Sequence, residues 1–351
     1  MDVGRTLAAA VAWLPHRQSR AEVRRFIAAA AIVACLLGNR SSADSPCTVV
    51  CNGPGCIDFW VIDTRSAPPC GDYQSNMGRI AYFHCEPTGW VRYSLEGFVA
   101  ATDTEVPVTF YVHGLFSKAD SSLKQARDLF GTVGAGLPAF RGVLWSWPSD
   151  FECGMSIPDQ AERGVAHTPV EAFYLASVID RLGPRVAVSL VGHSLGTRIV
   201  VAALHGLATR TIRGQALPPV QFPQPRPIQA ALIAAAIEPH ALWPGGEYEG
   251  VISQIDHLLI SHNCEDRVLR ADERVFKHLA LGRRGLPIPA AKSQEFLEKV
   301  SQVDANPAVG KRHVPTVYFE SPMVAGWLRP YVGYLQAPDF GPQPPPDPLF
   351  E

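Results

Sequence analysis

Residues 186–207 read VAVSLVGHSLGTRIVVAALHGL. An apolar run, Val186 to Val191, leads into Gly192-His193-Ser194-Leu195-Gly196, and a second apolar-rich run, Ile199 to Leu207, follows. The first run reads as a buried strand and the second as a helix. The two glycines let the chain turn sharply between them, with the serine in a strained conformation at the strand's end.

Taken alone, G-x-S-x-G matches a chain of this length by chance about one time in ten, at roughly 7% per fixed residue. The strand before it and the helix after it supply the setting of a nucleophile elbow. Ser194 is therefore the candidate nucleophile. The free N–H groups at the start of the following helix point at any negative charge that develops there.

Working outward, apolar strands alternate with amphipathic helices. Strands are expected at Phe59–Thr64, Trp90–Ser94, Val106–Val112, Val143–Trp147, Ile228–Ile237, Ile255–Ser261 and Val300–Val303. Helices are expected at Ser121–Phe130 and Arg267–Ala280, and from Ser321-Pro322 to about Leu335. Thr168-Pro169-Val170-Glu171 reads as a capping box that opens a further helix, stopped by Gly183-Pro184. This pattern predicts an α/β fold, with a mainly parallel central sheet and helices on both faces.

Composition agrees with that reading. The chain has 351 residues, 47% hydrophobic and 18% charged, which suits a globular fold with a large core. Its net charge of −2 argues against nucleic acid and against generic binding to anionic membranes. Two proline-rich stretches, Leu217 to Pro227 and Gly341 to Glu351, fall outside the strand–helix pattern. The first is expected either to overhang the site as a partial lid or to be a plain surface loop.

The N-terminus reads as an address. Arg24-Arg25 precedes the apolar run 26–37, and small and polar residues follow to Ala43, the layout of a secretory signal. The expected organisation is a leader over 1–43, a Cys-rich lead-in over 44–58, the main domain over 59–335 and a tail over 336–351. Translation starting near Val23 would explain the long leader. Export to the periplasm or medium is expected, and an uncut N-terminal anchor in the membrane is the alternative. Of eight cysteines, Cys47, Cys51, Cys56, Cys70 and Cys85 crowd together, as expected of disulfide staples in an oxidising compartment. Their spacing gives no connectivity and no clean zinc pattern. Loss of Cys35 with the leader leaves an odd number of cysteines. Cys153 and Cys264 are isolated and read as buried residues.

A second chemical element lies upstream. Tyr111-Val112-His113-Gly114-Leu115-Phe116 follows the strand that begins at Val106. An oxyanion hole needs two backbone donors aimed at one point. The N–H of Leu195, just after the serine, and the N–H of Leu115 are the candidates.

With the elbow and the His-Gly loop in place, the chain resembles the α/β-hydrolase superfamily over about Phe59 to Leu335. Within it, Trp147-Pro148-Ser149 is similar to a turn found in a hydrolase family classed as a domain of unknown function. The resemblance implies a triad in the chain order serine, acid, histidine. The acid is then expected at Asp266, in His262-Asn263-Cys264-Glu265-Asp266-Arg267-Val268-Leu269 just past a late strand, where it can also cap a helix. Glu238, one strand earlier, is the competing acid. Of eleven histidines, His313 is the one that follows the acid in a loop before the last helix, and it is the expected base. The side chain of His193 is not needed for this scheme.

The implied activity is hydrolysis of an acyl bond, first of all a carboxylic ester, in a small-molecule acyl substrate, through an acyl-enzyme, with no metal or organic cofactor. An acyltransferase on the same serine and an exported, non-catalytic binding protein are the alternatives. Trp145, Trp147, Phe116 and Trp243 read either as core or as the lining of an acyl pocket.

Overall fold

The computed structural model describes residues 47, 57–102, 106–150, 152, 154–220, 226–287 and 298–335. The expected leader over 1–43, most of the lead-in, the tail over 336–351 and Cys35, Cys51, Cys56 and Cys153 lie outside those residues.

Nine strands form the main sheet: β1 (Asp58–Asp63), β2 (Ala81–Glu86), β3 (Gly89–Tyr93), β4 (Val108–Val112), β5 (Arg141–Ser146), β6 (Val188–His193), β7 (Ile228–Ile233), β8 (His257–His262) and β9 (Val300–Asp304). Their order is β9-β8-β7-β6-β4-β5-β1-β2-β3. All neighbours from β9 to β1 are parallel, while β2 and β3 add an antiparallel edge. This is the mainly parallel sheet with helices on both faces that the alternation of runs predicts. Strand β2 has no counterpart in the sequence reading. Its polar and half-buried residues near the sheet edge mask the apolar signal that marks the central strands.

The central strands are buried along their whole length because helices cover both faces. In β4, Val108, Phe110 and Val112 enter one core, shared with helices α2 (Ile157–Arg181) and α3 (Gly196–Thr209). Tyr111 points the other way, into a core shared with α1 (Ala119–Asp128), α6 (Pro315–Glu320) and α7 (Pro322–Gly333). Two further helices, α4 (Arg267–Phe276) and α5 (Leu281–Arg284), lie between β8 and β9 in sequence. Helix α4 stops four residues before the expected Ala280, with Lys277 in the left-handed region.

The expected start of one helix is overturned. Thr168-Pro169-Val170-Glu171 does not open a helix; it lies inside α2, which begins at Ile157. Ser156 is the actual cap, and its Oγ accepts from the Asp159 N–H. Pro169 has no N–H for the carbonyl of Val165, four residues back. The Thr168 hydroxyl donates to that carbonyl instead, at 2.9 Å, and the helix runs on.

Cys47 and Cys85 are disulfide-bonded, tying residue 47 to β2. Chain-entropy reasoning for a separation of 38 residues gives about 4 kcal/mol of stabilisation. Cys70 and Cys264 are exposed free thiols, so Cys70 is no staple and Cys264 is not the buried residue expected.

Candidate active site

The loops after β4, β6, β8 and β9 leave the sheet at its carboxyl edge, where ligands of open parallel sheets bind. Four loops from four strands therefore meet above one edge, and each carries a residue singled out from the sequence.

The elbow comes first. β6 ends at His193, α3 begins at Gly196, and Ser194 between them has φ 54°. This left-handed conformation is strained for serine, by an order of 1–3 kcal/mol, and the surroundings hold it. The Ser194 N–H donates to Ile233 O at 2.9 Å, and its carbonyl accepts from the Thr197 N–H and hydroxyl at 3.1 and 2.6 Å. A Cβ on Gly196 would lie 2.3 Å from Val112 O and 2.5 Å from His113 O. Glycine there is a matter of room, because helix α3 starts directly against the end of β4.

Ser194, half-buried, presents its Oγ 2.8 Å from Nε2 of His313. On the other side of that ring, Nδ1 lies 2.7 Å from Oδ2 of Asp266. The structure thus brings the expected nucleophile, base and acid into one hydrogen-bonded row. Asp266 is fully buried and also caps α4, its Oδ1 accepting from the N–H groups of Val268 and Leu269. Glu238, the competing acid, is exposed on the loop after β7, and His313 turns to Asp266 instead.

The oxyanion candidates also converge. A Cβ on Gly114 would sit 3.0 Å from the Cβ of Ser194, so the His-Gly loop touches the elbow. A Cβ on Gly164 of α2 would lie 2.7 Å from a methyl of Leu115 and 3.0 Å from a methyl of Leu195. One bare helix position therefore receives the side chains of both leucines. Among the described residues, neither the Leu115 N–H nor the Leu195 N–H donates to a backbone carbonyl.

Several supporting contacts escaped the sequence reading. His113 is buried, with Nδ1 facing Gly114 O at 2.9 Å and Nε2 receiving the Trp147 N–H at 3.3 Å. Burial, helped by the Arg65 charge, pushes it down to about 3, so it stays neutral. Trp147 returns its indole N–H to His113 O at 2.8 Å. Ser149 O accepts the Phe116 N–H at 2.7 Å, holding that residue at φ 61°. The Trp147-Pro148-Ser149 turn is thus the brace of the His-Gly loop. Trp145 and Trp147 are both fully buried in the core, whereas Phe116 and Trp243 are half-buried.

Asn263 joins the acid loop to the base loop, its Nδ2 donating to Gly310 O at 2.6 Å. His193 Nε2 lies 2.8 Å from His313 O. Only knowledge of which loops meet could have revealed either contact, because each ends on a backbone carbonyl distant in sequence.

The proline-rich insertion is anchored elsewhere. Leu217 N–H donates to Arg210 O at the far end of α3, and Arg226 donates to the carbonyls of Leu182 and Gly183. At 1.5 Å per residue, the 14 residues of α3 span about 21 Å. The described ends of the insertion therefore cover no part of the site, and residues 221–225 lie outside the described residues.

Among the described residues, no group of three or more His, Cys, Asp or Glu side chains is placed to hold a metal ion. No described helix is long and apolar enough to cross a membrane.

No protein-family model and no curated protein matches the sequence. Among solved structures, two variants of the esterase rPPE are similar at 12% and 14% identity, each with a TM-score of 0.36. They cover 96% of this chain and 98% and 97% of theirs. A cold-adapted esterase from an Arctic intertidal metagenomic library is similar at 13% identity and a TM-score of 0.31, over 72% of this chain and 88% of its own. Likenesses of this size assign no residue a role.

Proposed function

We propose that this chain is a serine hydrolase that cleaves an acyl bond, first of all a carboxylic ester, with Ser194 as nucleophile, His313 as base and Asp266 as orienting acid. The observation that carries the reading is the unbroken row from Ser194 Oγ through the His313 ring to Asp266 Oδ2, at 2.8 and 2.7 Å. Nδ1 of His313 faces a carboxylate and carries the proton, which leaves the Nε2 lone pair free for the serine.

In the first half-reaction, Ser194 Oγ attacks the acyl carbon while its proton passes to His313 Nε2. Asp266 stabilises the imidazolium. The N–H groups of Leu115 and Leu195 take up the negative charge on the carbonyl oxygen, worth a few kcal/mol each in sites of this kind. The proton then moves from His313 to the departing alcohol as its bond to carbon breaks. Water, deprotonated by the same nitrogen, releases the acid from the serine. An ester asks less of this geometry than an amide does, since its alkoxide leaves more readily than an amine nitrogen. The Trp147-Pro148-Ser149 turn supports, within this reading, a likeness to the hydrolase family of unknown function. The Cys47–Cys85 disulfide supports export to an oxidising compartment.

Labelling with a fluorophosphonate, which phosphonylates activated serines, tests the assignment. Wild type is expected to label, and Ser194→Ala and His313→Ala are not. Undiminished labelling of folded Ser194→Ala would overturn it. Acyl transfer to an added alcohol in preference to water would make the chain an acyltransferase instead.

A further inference from the structure

We propose that His193 is a positioning residue that fixes the height and tilt of the His313 ring through the His313 backbone carbonyl. The inference rests on the triad reading above and adds a fourth member, one that touches neither substrate nor serine hydroxyl.

Three observations carry it. First, His193 Nε2 lies 2.8 Å from His313 O. A carbonyl oxygen only accepts, so Nε2 must carry the proton and donate. Second, the ring is 4% exposed and wedged between functional parts. Its centroid is 5.0 Å from that of the His313 ring and 6.4 Å from that of Tyr318, and a Cβ on Gly114 would lie 3.1 Å from its Nδ1. One imidazole thus spans the elbow that bears it, the loop of the oxyanion candidates and the loop of the base. Third, His193 adjoins Ser194 on rigid β6, so the hydrogen bond ties His313 to the strand that aims the nucleophile.

The choice of histidine follows from charge. His313 must become an imidazolium during turnover, and a second cation 5.0 Å away would oppose that. Burial holds His193 well below the ordinary histidine range, and the neighbouring His313 and His113 push it the same way. The donor therefore stays uncharged. Lysine or arginine would offer an N–H only with a charge attached.

The experiment compares His193→Phe, which keeps a ring without a donor, with His193→Gln, which keeps an N–H at similar reach. Turnover of a p-nitrophenyl ester and rate of fluorophosphonate labelling are measured beside Ser194→Ala and His313→Ala. His193→Phe is expected to lower kcat about 10- to 100-fold with KM within about twofold, as a base displaced by a fraction of an ångström would. His193→Gln should recover to within about threefold of wild type. Wild-type kcat in His193→Phe, or equal loss in both variants, would overturn the inference while Ser194→Ala and His313→Ala stay inactive. Activity in those two controls would instead remove the triad reading, and this inference with it. If His193→Phe does not fold, selectively ¹⁵N-histidine-labelled wild type decides. A neutral Nε2–H tautomer for His193 from pH 5 to 8 is expected, and a protonated ring or an Nδ1–H tautomer overturns the proposal.

Discussion

Asp266 meets His313 with a carboxylate whose second oxygen is already committed. Oδ2 lies 2.7 Å from His313 Nδ1, while Oδ1 accepts two backbone N–H groups at the start of α4. The cap locks the side-chain angle, so the carboxylate is held oriented toward His313. It also means that one substitution can separate the two jobs.

Asp266→Asn should keep the cap, because asparagine and aspartate are equivalent at that position. Its amide would then turn N–H groups toward His313 Nδ1 and force the ring to carry its proton on Nε2. That tautomer cannot take the proton of Ser194. Turnover is expected to fall about 10⁴-fold with stability within about 1 kcal/mol of wild type. Asp266→Ala should lose activity similarly and about 1 kcal/mol of stability more than the asparagine variant. Kinetics and denaturant melts on both variants check this, and activity within tenfold of wild type in Asp266→Asn would remove the acid from its role.

Gly196 and Gly114 should fail in different ways. An alanine at 196 puts a methyl 2.3 Å from a backbone oxygen of β4, which cannot move without the sheet. Gly196→Ala is expected to cost about 3 kcal/mol or more in stability. An alanine at 114 meets the Ser194 Cβ at 3.0 Å and His193 Nδ1 at 3.1 Å, contacts relieved by shifts of a few tenths of an ångström. Gly114→Ala should fold with a loss under about 1.5 kcal/mol, yet lose about 10- to 100-fold in kcat, because the shift falls on the reacting groups. Thermal melts and turnover of the two variants give the comparison, and the opposite ranking would count against the packing argument.

The parts of this site that were legible in the sequence are those with local signatures. The elbow announces itself by a strand, two glycines and a helix around Ser194. The acid and base candidates follow from chain order once the superfamily resemblance is granted, because Asp266 sits just past a strand end and His313 is the loop histidine between the last strand and the last helix. The contacts of His193, Asn263 and His113 leave no such trace, since their main partners are backbone groups, which any residue could supply. Trp147 was ambiguous for a related reason. An aromatic at a strand end is equally suited to a pocket or to a core, and the hydrogen bond to His113 O that decides the matter is not local. The misread start of α2 shows the reverse fault, a perfect local motif cancelled by one hydroxyl.

Glu171 gives the fold a pH dependence of predictable sign. It is fully buried, and its Oε2 accepts from Thr64 Oγ1 at 2.8 Å and Trp145 Nε1 at 2.9 Å. His167 lies 3.7 Å from Oε1, and Arg65 and Asp63 supply the neighbouring charges. Burial outweighs the two hydrogen bonds and pushes the carboxyl up to about 7 from an ordinary 4.5. Between those values the native state keeps a proton that the unfolded chain has released. The contribution is therefore full below pH 4.5 and is lost as pH rises through about 7, to a total of about 3 kcal/mol. Buried His113 and His167 act oppositely, since both lie below the ordinary histidine value and lose their contribution as pH falls below 6.5. Their share largely cancels when Glu171→Gln is compared with wild type. That variant should gain on wild type by about 3 kcal/mol between pH 4.5 and pH 8, measured by urea melts. A constant difference across that range would mean that the carboxyl is ionised in the fold throughout.

The repair inside α2 predicts a coupling between adjacent residues. Thr168 is 1% exposed, and its hydroxyl is what satisfies the Val165 carbonyl that Pro169 leaves without a backbone donor. Thr168→Val keeps the side-chain shape and removes the donor, so a buried carbonyl loses its partner at a cost of about 1–2 kcal/mol. In a Pro169→Ala background residue 169 regains an N–H, which can close the ordinary helical bond to Val165. The same threonine substitution should then cost less, by about 1 kcal/mol. A double-mutant cycle of urea melts measures that difference directly. Additive effects would show that the hydroxyl repairs nothing and that the helix tolerates its proline for another reason. Coupling of the expected size would make Thr168 the residue that keeps α2 continuous past Pro169. Gly164, four positions earlier in the same helix, is where the side chains of Leu115 and Leu195 come to rest. A helix broken at 169 would free that turn and, with it, the two loops that carry the oxyanion candidates. Thr168→Val should therefore also lower turnover in proportion to the population of the frayed helix, and Pro169→Ala should restore it.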